Sequence, residues 1–187
     1  MKVNKIEFNM MGKYEKKDDL SEFAFVGRSN AGKSSIINTL TNKKINRVSK
    51  KPGCTRCINT IKINDKFYIV DLPGAGFAKV SLKEKKRFNK ITEQYLEESE
   101  HLRTVFLIMD IKVAPTNIDI MMIEWLKSIH RNFVLILNKV DNIPKNKLQQ
   151  RKKEIFKKLG FKYPSITVSA TKKINITELE KFILSMV

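Results

Sequence analysis

The sequence predicts an α/β protein with a mostly parallel central sheet, one antiparallel hairpin strand and helices on both faces. Three observations predict it. After residue 20, short apolar runs alternate with amphipathic stretches of helical period. A glycine-containing turn, GRSNAGKSS at 27–35, stands between an apolar run and a helical stretch. Two β-branched runs, CINTIKI and KFYIVDL, flank the dipeptide Asn64-Asp65, which reads as a hairpin.

The elements follow in order. Residues 22–26, EFAFV, read as a short buried strand, and 33–41 as a helix. Residues 42–56 read as a loop punctuated by Pro52-Gly53, and the hairpin occupies 57–72. PGAGFAKV, 73–80, is a second loop. Ser81 opens a long helix, with Glu84 at capping-box spacing. TVFLIMDI, 104–111, is a central strand. Residues 116–129 are a helix, with Thr116 and Asp119 again at capping spacing. NFVLILN, 132–138, is another strand. Pro144 opens a basic amphipathic helix with Leu148, Ile155, Phe156 and Leu159 on its inner face. Residues 165–171 are the last strand and 175–186 the last helix. No repeat or linker is visible. One domain is expected over 1–187, with 1–20 as an N-terminal extension and 21–187 as the core.

The chain has 187 residues, enough for one full core, and a globular balance of 42% hydrophobic and 30% charged residues. No apolar stretch reaches the ~18–20 residues of a spanning helix. The first residues contain no signal-peptide apolar region, so the expected compartment is the cytoplasm. Cys54 and Cys57 form a Cys-x-x-Cys pair. Zinc needs about four ligands, and only His101 and His130 remain to help. A thioredoxin-type pair would open a helix, whereas CINTIKI reads as a strand, so incidental thiols are the better reading.

Formal net charge is +18, and its distribution is uneven. Residues 43–56 carry six Lys/Arg and no acid, 79–90 carry six with Glu84, and 145–158 carry seven with Glu154. These runs hold nearly all of the excess. A single run is ordinarily a solvated face, whereas three together point to a polyanionic partner.

Chemistry begins at the 27–35 turn. Gly27, Gly32, Lys33 and Ser34 fit the P-loop spacing, with Arg28, Ser29, Asn30 and Ala31 between them and Ser35 after. Glycines let successive N–H groups face one anion, and the following helix adds its positive end. Lys33 would reach the β- and γ-phosphates, and the Ser34 hydroxyl would join a Mg2+ shell. Asp71, Leu72, Pro73 and Gly74 form Asp-x-x-Gly at a strand end. Asp71 would hold the metal through water, and the Gly74 N–H would approach the γ-phosphate. Asn138, Lys139 and Asp141, in NKVD, decide the base. Guanine offers two adjacent donors to one carboxylate, which Asp141 can accept, whereas adenine has no such pair. Asn138 would tie this loop to the P-loop, and the Lys139 stem would cover the base. Ser169 and Ala170, in SAT, would put a backbone N–H on the guanine carbonyl. The four segments together predict a GTP/GDP site with Mg2+. A P-loop ATPase or kinase conflicts with NKVD.

With these segments in register, the chain resembles the EngB (YsxC/YihA) family within the Era/EngA/EngB group of GTPases. The resemblance rests on GRSNAGKSS, SKKPGCTR followed by Asn59, DLPGAGFAKVS and APTNIDIMMIEWL, and it covers residues 20–187. It implies a Ras-like GTPase fold and a switch role in assembly of the large (50S) ribosomal subunit, with a link to cell division. It implies partners in the large subunit or its precursor, through rRNA and ribosomal proteins, and a monomer. It adds Gly53, Cys54 and Thr55 to the nucleotide site. Thr55 resembles the switch threonine that meets Mg2+ and the γ-phosphate, and with Lys33 and Gly74 it makes up the catalytic set. Asn30 resembles a potassium-ligand asparagine, with a backbone cap of the P-loop as the alternative.

Departures from the family are Ala75 and Phe77 for tyrosines, Thr60 and Ile61 for aromatics, Asn138 for the usual threonine, and a last loop without its common glycine. Ala75 also stands where many relatives of Ras carry the water-positioning glutamine, so turnover is expected at or below the ~10⁻⁴–10⁻³ s⁻¹ of intrinsic Ras. Potassium or a ribosomal partner would then raise it. The competing reading is a nucleotide-stabilised rRNA-binding module in which hydrolysis is incidental.

Overall fold

The computed structural model describes residues 1–11, 18–43, 58–73 and 82–187. Their strands are β1 (Ile6–Met11), β2 (Ser21–Gly27), β3 (Ile58–Ile63), β4 (Phe67–Asp71), β5 (Leu102–Asp110), β6 (Phe133–Asn138) and β7 (Ser165–Thr167). They form one sheet in the order β1-β3-β4-β2-β5-β6-β7. β3 runs antiparallel to both of its neighbours, and every other adjacent pair is parallel. The helices are α1 (Lys33–Thr41), α2 (Leu82–Glu98), α3 (Asn117–Ser128), α4 (Leu148–Leu159) and α5 (Ile176–Leu184).

β2 is buried along its whole length, as the centre of a sheet covered on both faces requires. Its residues alternate between two cores. Phe23 and Phe25 meet Ile36, Ile37 and Leu40 of α1 and Leu179 and Ile183 of α5. Ala24 and Val26 belong to the opposite cluster, with Tyr95 and Leu96 of α2, Ile123 and Leu126 of α3, and Ile155 of α4. Glu22 is buried at the start of β2, where its carboxylate accepts from the Tyr95 hydroxyl (2.9 Å) and the Ser99 hydroxyl (2.8 Å).

The β3–β4 hairpin turns on Asn64 (φ +50°) and Asp65 (φ +54°), the two positive dihedrals of a type I′ turn. The Asn64 side-chain oxygen also accepts from the backbone N–H groups of Asn4 (2.8 Å) and Lys5 (3.0 Å). That docks the start of the chain on the hairpin. β1 then pairs with β3 from Ile6 opposite Ile63 to Met11 opposite Ile58. The stretch expected to be an extension thus supplies an edge strand, with Ile6 and Phe8 packed on the first core.

α3 opens with the expected cap: the Thr116 backbone N–H donates to the Asp119 carboxylate at 2.8 Å. The Ser81–Glu84 expectation involves Ser81, outside the described residues. Pro144 precedes a single 3-10 turn, Lys145–Lys147, and α4 begins at Leu148. The Lys147 N–H donates to the Pro144 carbonyl (2.9 Å), closing the tighter turn first. Ile155 is buried, with Leu148, Phe156 and Leu159 packed beside it. Among the described residues no helix is long and apolar enough to cross a membrane.

Candidate functional site

The parallel strands β2, β4, β5 and β6 end at one edge of the sheet, and the candidate residues follow those ends. The two P-loop glycines serve different needs. Gly27 is the last residue of β2, and a Cβ there would stand 2.6 Å from the Ile108 carbonyl oxygen on β5. It is glycine for strand packing. Gly32 has φ +96°, and a Cβ there would stand 2.2 Å from Asn138 Nδ2. It carries the left-handed turn into α1, whose Ile36 N–H donates to the Gly32 carbonyl at 3.0 Å. Asn30 is left-handed too, at φ +66°, a region asparagine tolerates. The side chains of Ser29, Asn30, Ser34 and Ser35 are exposed.

Asn138 ends β6 and is 2% exposed. Its Nδ2 donates to the Ala31 carbonyl (2.9 Å), and its Oδ1 accepts from the Ala170 N–H (3.3 Å). One buried amide therefore holds two loops that are 107 and 32 residues away along the chain. Lys139 follows at φ +66°. Its Nζ donates to the Asn30 carbonyl (2.7 Å) and pairs with Asp110 at 2.8 Å. Asp141 is exposed in the 3-10 turn Val140–Asn142. Beyond β7, buried Ser169 exchanges backbone hydrogen bonds with Ile174, and its hydroxyl accepts from the Lys172 N–H (3.0 Å). The Thr39 hydroxyl of α1 donates to the Ala170 carbonyl (3.2 Å).

Lys33 Nζ forms an ion pair with Asp71 Oδ1, bringing the first turn of α1 against the end of β4. Asp71 is 7% exposed. The Leu72 N–H donates to the Phe25 carbonyl (3.1 Å), so β4 stays joined to β2 up to Pro73. Gly53, Cys54, Thr55 and Gly74, like Ala75 and Cys57, lie outside the described residues. Among the described residues no three His, Cys, Asp or Glu side chains gather. The donors near Lys33 are instead the Asp71 carboxylate and the Ser34 hydroxyl, hard oxygen ligands of the kind magnesium shares with phosphate.

Beside the P-loop lies a pocket of about 120 Å³, lined by Arg28, Asn30, Asp110, Val113, Asp119 and Lys139 among others. Arg28 Nη1 stands 3.7 Å from the Asp119 carboxylate, which is 4% exposed and also caps α3. Sequence reasoning missed Asp110 as the partner of Lys139, Asp119 as the partner of Arg28, and Thr39. Asp110 ends β5 directly opposite Asn138, a register that no local stretch of sequence gives.

A P-loop joined at the strand ends to Asp71 and to an Asn138-Lys139-x-Asp141 turn defines a P-loop GTPase. A family model described as 50S ribosome-binding GTPase matches residues 22–139. A probable GTP-binding protein EngB of Clostridium kluyveri is 52% identical over 133 residues, 71% of this chain and 68% of that protein. A solved probable GTP-binding protein EngB superposes with a TM-score of 0.76 at 26% identity, over 89% of this chain and 98% of that one. Era, solved with MgGDPNP and nucleotides 1506–1542 of 16S ribosomal RNA, superposes with a TM-score of 0.69 at 27% identity, over 89% of this chain and 56% of that one. The chain belongs to the EngB family of GTP-binding proteins and is a GTPase with the expected Ras-like fold.

Proposed function

We propose that this GTPase is one domain that binds GTP and GDP at the strand-end edge and acts as a switch in large ribosomal subunit assembly in the cytoplasm. The observation that carries the nucleotide site is the Asn138 amide. By holding the Ala31 carbonyl and the Ala170 N–H at once, it keeps Lys33, Asp141 and Ala170 in one frame. In this reading residues 27–35 cradle the phosphates, Lys33 balances their charge, Asp141 accepts from guanine, and the Ala170 N–H, held by the Asn138 oxygen at a long 3.3 Å, shares its hydrogen with the guanine carbonyl. Lys139, pinned by Asp110 and the Asn30 carbonyl, lays its stem along the base. Ser34, Asp71 and Thr55 would hold Mg2+, which when bound supplies positive charge against the phosphate oxygens. Gly53, Cys54, Leu72, Pro73 and Gly74 complete the cradle. Asn30 would take potassium, and Asn30→Ala should then remove any difference between potassium and sodium turnover.

Support for the ribosomal role comes from the matched family description and from Era, whose solved complex includes 16S rRNA. The basic runs supply charge for the same kind of contact. A monomer is expected, and a connection to cell division would follow from failed ribosome supply.

The test of the base assignment is Asp141→Asn. An amide cannot accept from both guanine donors, so GTP affinity should fall roughly ten- to over a hundredfold while xanthosine triphosphate gains. Unchanged GTP affinity in a fluorescence titration would remove Asp141 from the base site. Ribosome-stimulated turnover, measured with purified subunits, separates a switch from a module in which hydrolysis is incidental.

A further inference from the structure

The opposite edge of the sheet, where the parallel strands begin, carries a groove that the nucleotide site does not use. α4 ends at Gly160, whose φ of +73° turns the chain out of the helix. The next residue, Phe161, is 65% exposed. Its ring centroid lies 5.2 Å from that of Tyr163, which lies 5.4 Å from Phe133 at the start of β6. The three rings, with Leu159, Lys127 and Arg131, line a groove of about 540 Å³, within the usual range for a ligand site.

Of the groove's own cations, Arg131 donates to the Leu96 and Glu97 carbonyls and Lys127 faces Glu124. Lys157 and Lys158, on the last turn of α4 before Leu159, and Lys162, between Phe161 and Tyr163, are exposed, and among the described residues none of them is in an ion pair. Glu124, the acid of the groove, is 3.2 Å from Lys127. A single exposed phenylalanine needs no explanation. A chain of three rings whose outermost, Phe161, faces solvent while Tyr163 and Phe133 are half-buried behind it, with exposed lysines close by in sequence, is the combination that stacks bases and neutralises phosphates.

We infer that this groove takes an unpaired RNA base against Phe161, with the flanking phosphates on Lys157, Lys158 and Lys162. The inference rests on the RNA-binding reading above and adds a contact site to it. An apolar protein segment would use the rings but not the cations, and a duplex would use the cations but not the rings. β6 spans six residues from Phe133 to Asn138, roughly 17 Å, so the groove is remote from the nucleotide edge.

The experiment uses the full chain loaded with GDP and a fluorescein-labelled single-stranded RNA dodecamer, with the matching duplex for comparison. Phe161→Ala should weaken single-strand binding about 5- to 100-fold and leave GDP affinity unchanged. Phe161→Trp should keep the affinity, and the strand should quench its added emission over the background of Trp125, the chain's one tryptophan. Wild-type RNA affinity in Phe161→Ala overturns the inference. If in that case replacing Lys147, Lys152 and Lys153 with Ala still weakens binding, RNA binding itself stands without this groove. If the wild-type chain binds neither RNA, both readings fall. If Phe161→Ala binds RNA normally but no longer pellets with ribosomal subunits, the groove's partner is protein and the inference is equally overturned.

Discussion

Replacing Asn138 with Ala would remove the pin between three loops without touching Lys33 or Asp141. The amide makes two buried bonds, 2.9 Å to the Ala31 carbonyl and 3.3 Å from the Ala170 N–H. Ala31 and Ala170 are 4% and 7% exposed, so water cannot readily replace the lost partner. Each group left unpaired costs ~1–3 kcal/mol. The longer bond belongs at the low end, giving roughly 2–4 kcal/mol for the pair. In a chain of this size that lowers Tm by about 5–15 °C. The same loops then have to be ordered by the nucleotide, so GDP affinity should fall about tenfold or more at that loss. Calorimetric melting and titration with a fluorescent GDP analogue read the two effects separately. Asn138→Thr should fall between wild type and Ala, because a hydroxyl keeps one bond. An Ala variant with unchanged Tm and GDP affinity within twofold would refute the claim that this amide frames the site.

Two further changes test one contact inside the site and one at the far edge of the sheet. Gly32→Ala places a Cβ 2.2 Å from Asn138 Nδ2 at φ +96°, so nucleotide affinity should drop more than tenfold, with ~1–3 kcal/mol lost from the fold; normal GTP titration and melting would contradict it. Asp18 accepts from Lys62 Nζ (2.8 Å), the Tyr68 hydroxyl (2.9 Å) and the Leu20 N–H (3.3 Å). Burial pushes the Asp18 carboxyl up, but those donors outweigh it and hold its pKa below the ordinary value. A depressed carboxyl stabilises the fold above its unfolded pKa of about 3.9, and that contribution is lost as pH falls through the lower folded value. Melts of Lys62→Met and wild type should therefore differ at pH 6 and converge once Asp18 is protonated. A gap that persists at pH 2 would contradict the assignment.

What the sequence reveals is what short windows encode. The Asn64-Asp65 turn, the Thr116–Asp119 cap and the start of α1 after Gly32 are all local, and each is where the residues place it. β1 carries its own signal, Ile6 and Phe8 alternating with Glu7 and Asn9. It is still easily read as a tail, because its partners on β3, from Ile58 opposite Met11 to Ile63 opposite Ile6, lie far ahead in the chain and the stretch between is lysine-rich. The ties that frame the site are longer still. Nothing near Lys139 announces Asp110, and nothing near Arg28 announces Asp119; only the pairing of β5 with β2 and β6 brings them together. Gly27 is the reverse case. Its place in the P-loop pattern predicts a flexible turn, whereas its contact with the Ile108 carbonyl makes it a packing residue.

The basic run at 145–158 shows why counting charges overstates a surface. Arg151 turns inward: its Nε donates to the Ile111 carbonyl (2.7 Å) and its Nη2 to the Lys112 carbonyl (3.0 Å), with Glu154 on Nη1 at 2.8 Å. That guanidinium braces the chain just after Asp110, the partner of Lys139, so one charge of the run belongs to the nucleotide edge. Lys157 and Lys158 stay in solvent at the other end of the helix, in the turn before Leu159, which lines the aromatic groove. α4 has 12 residues, so it bridges the two edges over about 18 Å. Spanning two sites does not couple them; coupling needs an element with two arrangements that both sites bias. α4 has its Arg151 bonded at one end and Ile155 buried at its middle, which makes it a strut. RNA held at its far end should therefore be indifferent to which nucleotide is bound, and any dependence on the nucleotide has to enter through other surfaces.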